Sequence, residues 1–285
     1  MKQSIDKVYE VRQQMTSLVD NLIKVFSTDE VISELMYLRG YDKSYYREDI
    51  YNMFKEVGVF RLDYFSEILL VDSDITIDKG KTLGILDSKG DYLLQGRFAI
   101  PIRDINHQVT ALVGWYPDVK KYITTPTYGF SKDGQFFNIE CYEKAVTGDY
   151  EKYVSENGEI YEYSKGVVYL VEGIFDTLTL RALGLPALGN MGLDMSLVKT
   201  EILTRFGKVI AIPDNDKAGR RTNRYVSHLS SKRGTNSAWK IKNDHVIVQL
   251  PRGVKDVDDF IKGYICKEDL LRCQIGKYKL SLYEE

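Results

Sequence analysis

The carboxy-terminal half of the chain alternates short aliphatic runs with helical patterns, and that rhythm restricts its architecture more than any other feature. Leu185 to Leu188, His245 to Leu250, "VVYLV" at 167–171 and "VIAI" at 209–212 read as strands. Helical spacing begins near Phe175, covers Leu193 to Phe206, and begins again near Lys217 and Val257. Strands separated by helices demand crossover connections, so the expected product is an α/β domain with a mostly parallel sheet. In such sheets, residues just past the carboxyl ends of the strands line the ligand crevice.

Carboxylates occupy those positions. Glu172 follows the first run, Asp214 and Asp216 follow "VIAIP", and Asp256 and Asp258 stand in "GVKDVDDF". Any one of them could cap a helix, because an aspartate at a helix start accepts backbone N–H bonds and suits the dipole. The D-x-D repeats in "PDND" and "KDVD" exceed what capping requires. Crowded carboxylates repel one another unless a cation neutralises them, and hard oxygen ligands suit Mg2+ or Mn2+. Two such ions, about 3.5–4 Å apart, can serve the attacking and leaving oxygens of a phosphoryl transfer. Asp176 falls one helical turn further on and is expected to orient the loop or support the ligands, while Gly173 and Gly219 supply small residues where a helix begins.

The amino-terminal half has a different texture. Val8, Val11, Met15, Leu18, Leu22 and Val25 recur at three-and-four spacing, predicting an amphipathic helix over 5–26 that covers a core or binds a partner. Helical pattern continues through "DEVISELMYLRG" and "REDIYNMFKEVGVF", and short strands with turn signals follow between Thr82 and Trp115, including "TLGIL", "YLLQGRFAIPIRD" and "VTALVGW". The polar, aromatic stretch from Thr147 to Gly166 reads as a linker or surface hairpin. The expected division is a helical extension at 1–30, a mixed α+β subdomain at 31–150, a linker at 151–166, the α/β domain at 167–265 and a tail at 266–285.

Charge has to be read by segment, since the whole chain carries a formal −2. Between Arg97 and Lys132, five cations (Arg97, Arg103, Lys120, Lys121, Lys132) face two acids, and six cations with no acid lie between Lys217 and Arg233. Such strips neutralise triphosphates or template phosphates, or are ordinary solvated surface. Three cysteines without a CxxC pair and three histidines give no structural zinc site and fit a reducing cytoplasm. No run approaches the roughly 18 apolar residues of a membrane span. "GKT" at Gly80 to Thr82 lacks the upstream glycine of a phosphate loop, whose place is held by Ile75.

These residues carry a family resemblance. "VEGIFDTLTL" resembles the EG-x-x-D signature of Toprim domains, "PDNDKAGRR" their D-x-D-x-A-G signature, and "KDVDDFI" the K-D-P-D stretch of DnaG-type primases. Upstream, "GRFAIPIRDINHQVTALVGW", "KKYITTPTYGFSKDGQFFNIE" and "YLRGYDKSYYREDIYNMFKEVGV" are similar, in family order, to motifs of the primase RNA polymerase domain. The resemblance spans most of Tyr37 to Tyr264. It implies an enzyme that joins ribonucleoside triphosphates into short RNA primers on single-stranded DNA, with two or more Mg2+ or Mn2+ ions and no zinc, in a bacterial cytoplasm.

By that resemblance Glu172, Asp214 and Asp216 are catalytic metal ligands, with Glu172 helping to deprotonate the attacking 3′-hydroxyl, and Asp256 and Asp258 complete the cage. Arg39, Arg97, Arg103, Lys121, Tyr122 and Lys132 are implied in nucleotide or template binding. Trp115 stands where the family motif has an arginine, and it either stacks on a base or packs; Asn138 stands in a tyrosine-glycine region. Without a counterpart to the family's zinc ribbon and helicase-docking domain, the resemblance implies a truncated chain, a separate zinc-binding subunit, or a minimal primase of a phage or mobile element, the last being the favoured expectation; a replicative helicase is the other partner it implies. The alternatives are a Toprim metal-dependent nuclease and a single-strand-binding replication accessory protein with little turnover.

Overall fold

The computed structural model describes residues 2–117, 119–125, 130–142, 152–154, 160–162, 167–192, 195–203, 205–206, 208–215, 244–247, 250 and 253–262. The chain divides into two compact units, one of Met1–Asp42 with Arg47–Ser131, the other of Lys43–Tyr46 with Lys132–Glu285.

In the first unit the expected amphipathic helix forms as α1 (Lys2–Phe26). Its buried stripe is Val11, Met15, Leu18, Val19 and Leu22, whereas Val25 is 51% exposed at the frayed end of the pattern. Each buried aliphatic removed from water contributes about 1.5–3 kcal/mol. The stripe packs on Phe60, Ala99, Val109 and Leu112 from a four-stranded antiparallel sheet, and on Leu62 just past its first strand. That sheet comprises β1 (Phe60–Arg61), β2 (Phe98–Arg103), β3 (Val109–Tyr116) and β4 (Val119–Thr124), in that order.

Polar contacts stitch the helix to the β2–β3 turn. Val109 N donates to Thr16 Oγ1 at 2.8 Å, Arg12 pairs with Asp104 at 3.0 Å, and Arg103 pairs with Asp20 at 2.7 Å. Asp104 also shapes the turn, its Oδ1 accepting from Asn106 N and Gln108 N.

Helices α2 (Asp29–Arg39), α3 (Arg47–Val57), α4 (Phe65–Val71) and α5 (Ile77–Leu83) complete this unit's described helices. Two expectations are corrected here. The helical pattern read through Phe60 stops at Val57, because Gly58 adopts φ +78, and a Cβ there would lie 2.7 Å from Ile23. Phe60 is then free to begin β1. "TLGIL" is no strand, since Thr82 and Leu83 end α5 and Gly84 caps it, donating to the carbonyls of Gly80 and Lys81.

The second unit carries the alternating rhythm. Strands β7 (Val167–Val171), β8 (Ala187–Gly189), β9 (Lys208–Ile212) and β10 (Asp244–Ile247) lie in the order β10-β9-β7-β8 with every pairing parallel. β7 and β9 are buried along nearly their whole length, which explains their largely aliphatic sequences. One face packs Val168, Leu170, Leu188, Val209 and Ala211 against Phe136, Leu203 and Phe206. The described helices are α6 (Ile174–Ala182), α7 (Leu197–Leu203) and α8 (Val257–Lys262). Within the stretch read as linker or hairpin, β5 (Lys152–Val154) and β6 (Ile160–Glu162) pair antiparallel.

The outer edge of β8 is covered by an earlier stretch of chain. Phe137 N donates to Gly189 O at 2.9 Å and Gly189 N donates to Phe137 O at 3.1 Å. Asn138 follows in the left-handed region at φ 72; its Nδ2 donates to Ala187 O at 2.7 Å and its Oδ1 accepts from Arg181 at 2.7 Å.

Candidate metal centre

The register of the parallel sheet aligns its strand ends. Val171 pairs with Ile212 on one side and Gly189 on the other, so Glu172 and Asp214 emerge at one edge, Asp214 just past Pro213. They touch: Asp214 N donates to Glu172 Oε1 at 3.3 Å. The loop before α8 joins the same edge, because Asn215 N donates to Lys255 O at 2.6 Å and Asn215 Nδ2 to Val254 O at 3.2 Å. Lys255 Nζ then lies 2.8 Å from Asp256 and 3.8 Å from Asp214, bridging two carboxylates from distant sequence.

A second layer lies deeper. Asp176, in the first turn of α6, is buried and accepts from Asp258 N at 2.9 Å through Oδ1. Its Oδ2 lies over Gly173, where a Cβ would come within 2.3 Å. Glycine at 173 is therefore the space Asp176 occupies. The side chain of Asp258 is also buried, with Lys262 donating to Oδ2 and Thr179 Oγ1 to Oδ1 at 3.4 Å. Asp256 Oδ1 accepts from Asp259 N at 2.8 Å. Asp256, Asp258 and Asp259 each offer one carboxylate oxygen, all within 4.8 Å of one another.

The electrostatics record this crowding. Burial, followed by the charges of Asp258 and Asp256, pushes the Asp176 carboxyl up to about 8, against the hydrogen bond from Asp258 N. Burial and the charge of Asp256 also raise Asp259. The hydrogen bond to Asp256 raises Lys255, and the charges of Asp214 and Asp176 reinforce it. A site that protonates one carboxyl and draws in an ammonium has surplus negative charge, so its donor set fits a hard divalent cation. When bound, such an ion supplies charge neutralisation and Lewis acidity toward phosphate oxygens.

The structure thus brings together Glu172, Asp176, Asp214, Asp256 and Asp258, with Gly173 beneath Asp176. Asp216, Gly219 and the basic strip from Lys217 to Arg233 lie outside the described residues. Three further residues at this edge escaped the sequence reading. Asp259 was legible as the third acid of "KDVDDF" and Lys255 as the lysine of the same K-D-P-D-like stretch, though no role was read for either; Asn215 carried no signal beyond lying between acids.

The residues expected to bind nucleotide or template are described within their own units. In the first, Arg39 lies 5.0 Å over the ring of Trp115 and 5.9 Å over that of Tyr41. Trp115 is only 9% exposed and has Phe98 at 6.0 Å, so it packs and offers no free face to a base. Arg97 is half-buried beside Gly114, and Arg103 is engaged by Asp20 and the carbonyl of His107. Tyr122 is 49% exposed on β4, the strand that also contains Lys121. Lys132 belongs to the second unit and is exposed.

Comparison with known proteins bears on the fold. A family model described as Toprim-like matches residues 169–261. No curated protein matches the chain. A DnaG primase catalytic domain solved bound to single-stranded DNA is similar at TM-score 0.62 and 17% identity, over 89% of this chain and 76% of that one. The Escherichia coli primase catalytic core is similar at TM-score 0.57 and 17% identity, over 86% and 74%. The Aquifex aeolicus primase, comprising zinc-binding and RNA polymerase domains, gives TM-score 0.64 and 21% identity; 92% of this chain spans 60% of that longer protein. Among the described residues, no helix is long and apolar enough to cross a membrane. The chain carries a Toprim-like domain within the fold of a DnaG-type primase catalytic core.

Proposed function

We propose that the chain is a primase-type nucleotidyltransferase that builds short RNA primers on single-stranded DNA during replication. The observation that carries this reading is the meeting of Glu172, Asp214 and Asp256 at one sheet edge, tied by the Asp214–Glu172 bond and the Lys255 bridge. A similar fold has been solved bound to single-stranded DNA.

In this reading Glu172, Asp214 and Asp216 hold Mg2+ or Mn2+, and Asp256 and Asp258 extend the cage. Glu172, at the strand tip, receives the proton of the attacking 3′-hydroxyl. Lys255 balances Asp214 and Asp256 before a cation arrives and yields to it. Arg39, Arg97, Arg103, Lys121 and Lys132 offset the phosphate charge of template and ribonucleoside triphosphate, and Tyr122 offers a face to a base. Catalysis is then chiefly positioning and charge neutralisation, as in phosphoryl transfer generally. A replicative helicase or a separate zinc-binding subunit is the partner class, and a phage or mobile element the origin, that this reading favours.

The test is incubation with labelled ribonucleotides, Mg2+ or Mn2+ and single-stranded DNA. Short oligoribonucleotides are expected from the wild type and none from Asp214→Ala or Glu172→Ala. Degradation of the template with no new product would replace the polymerase with a Toprim nuclease, and strand binding with neither outcome would leave an accessory protein.

A further inference from the structure

Helix α7 is rotated against the usual hydrophobic rule. Leu197 and Val198 are 66% and 52% exposed, whereas Lys199 is 1% exposed. An ammonium withdrawn from water is tolerated only where its donors are matched. Lys199 Nζ donates to Asn190 O at 2.6 Å and to Asn190 Oδ1 at 2.9 Å, and it sits 5.3 Å from the Phe136 ring centroid. The helix therefore turns its lysine inward toward one residue, Asn190.

Asn190 follows β8 directly, and from there the β7–β8 ladder continues past both strands. Asn190 N donates to Val171 O at 2.8 Å, and Met191 N donates to Glu172 O at 3.0 Å. Asn190 Nδ2 closes the turn on Gly192 O at 2.8 Å. Met191 has φ 56, a left-handed conformation that a non-glycine residue holds only where its surroundings impose it. The strained residue is thus the one whose N–H fixes the backbone of Glu172.

We propose that Lys199 is a positioning residue: it clamps the Asn190–Gly192 turn, so that Met191 holds the peptide of Glu172 and the carboxylate is aimed at Asp214. The consequence for metal binding rests on the primase-type reading above. Lys199 touches no reacting atom; it acts through Asn190 and Met191.

Lys199→Met keeps the length and apolar stem of the side chain and removes its donors. Two readouts apply: hydrogen exchange at the Met191 amide, and Mn2+ affinity by electron paramagnetic resonance. Exchange is expected to accelerate and Mn2+ affinity to fall about tenfold, the scale on which residues that orient metal ligands act. Asn190→Ala, which keeps Lys199 but removes Oδ1 and Nδ2, should shift both in the same direction, and it decides the matter if Lys199→Met does not fold. Wild-type exchange at Met191 in the folded variant overturns the clamp; faster exchange with unchanged Mn2+ affinity overturns its link to Glu172. If the wild type itself takes up no Mn2+, the primase-type reading falls, and the clamp is judged on exchange alone.

Discussion

Replacing Gly173 by alanine tests whether the buried Asp176 carboxylate is what makes glycine necessary there. Gly173 has φ −99 and ψ 160, an ordinary conformation for alanine, so backbone strain plays no part. The added Cβ would meet Asp176 Oδ2 at 2.3 Å, whereas ordinary contact begins at 3.4 Å. The carboxylate must retreat by about 1 Å, which carries Oδ1 out of range of Asp258 N, now 2.9 Å away. Both Asp176 and Asp258 are buried. Leaving that N–H unsatisfied costs about 1–3 kcal/mol, and overpacking adds a further ~1–3 kcal/mol. Gly173→Ala should therefore destabilise the protein by about 2–6 kcal/mol, read as a lower urea midpoint at unchanged slope. In an Asp176→Ala background the same change should be neutral or stabilising by about 0.4–1 kcal/mol, because alanine restricts the unfolded chain. Equal losses in both backgrounds would refute the reasoning, since the glycine would then serve something other than Asp176.

Two further outcomes are expected. The Asp176 carboxyl, raised to about 8 in the fold, titrates near 3.9 once unfolded, so between those values the unfolded state releases a proton the metal-free fold retains. Stability in chelator should fall as pH rises from about 4 to about 8 and level off above; Asp176→Asn should flatten that slope, and urea melts at pH 5 and pH 8 with and without the substitution would reveal it. At Asn138, both Asn138→Gly and Asn138→Ala lose the bonds to Ala187 and Arg181, but only alanine bears the left-handed penalty at φ 72. Alanine should be the less stable by about 1 kcal/mol in the same assay, and equal midpoints would argue that the backbone relaxes.

The sheet was legible because its strands announce themselves. Residues 168–171 and 209–212 are buried on both faces of the sheet, and an almost wholly apolar run is what suits that environment. The acids were legible for the same reason, since parallel strands deliver Glu172 and Asp214 to one edge once their order is guessed. Lys199 was not. "LVKTEIL" reads as a helix with its leucine and valine inward and its lysine in water, and the structure reverses this to serve a carbonyl nine residues away. Phe60 was misassigned because "VGVF" continues a helical pattern, whereas Gly58, left-handed at φ +78, ends the helix, and the space taken by Ile23 keeps that position a glycine. The part Lys255 and Asn215 play was hidden because a bridge between loops depends on which loops meet.

The bridge between Phe137 and Gly189 has a practical bearing on how the second unit can be cut. A polypeptide trimmed to start at Val167 would retain every parallel strand, yet it would bare the flank of β8, an open ribbon on which another molecule could build. Retaining the residues from Lys132 onward keeps that flank sheathed. Soluble expression of the longer fragment and clumping of the shorter would show that this small stretch acts as a guard against self-assembly.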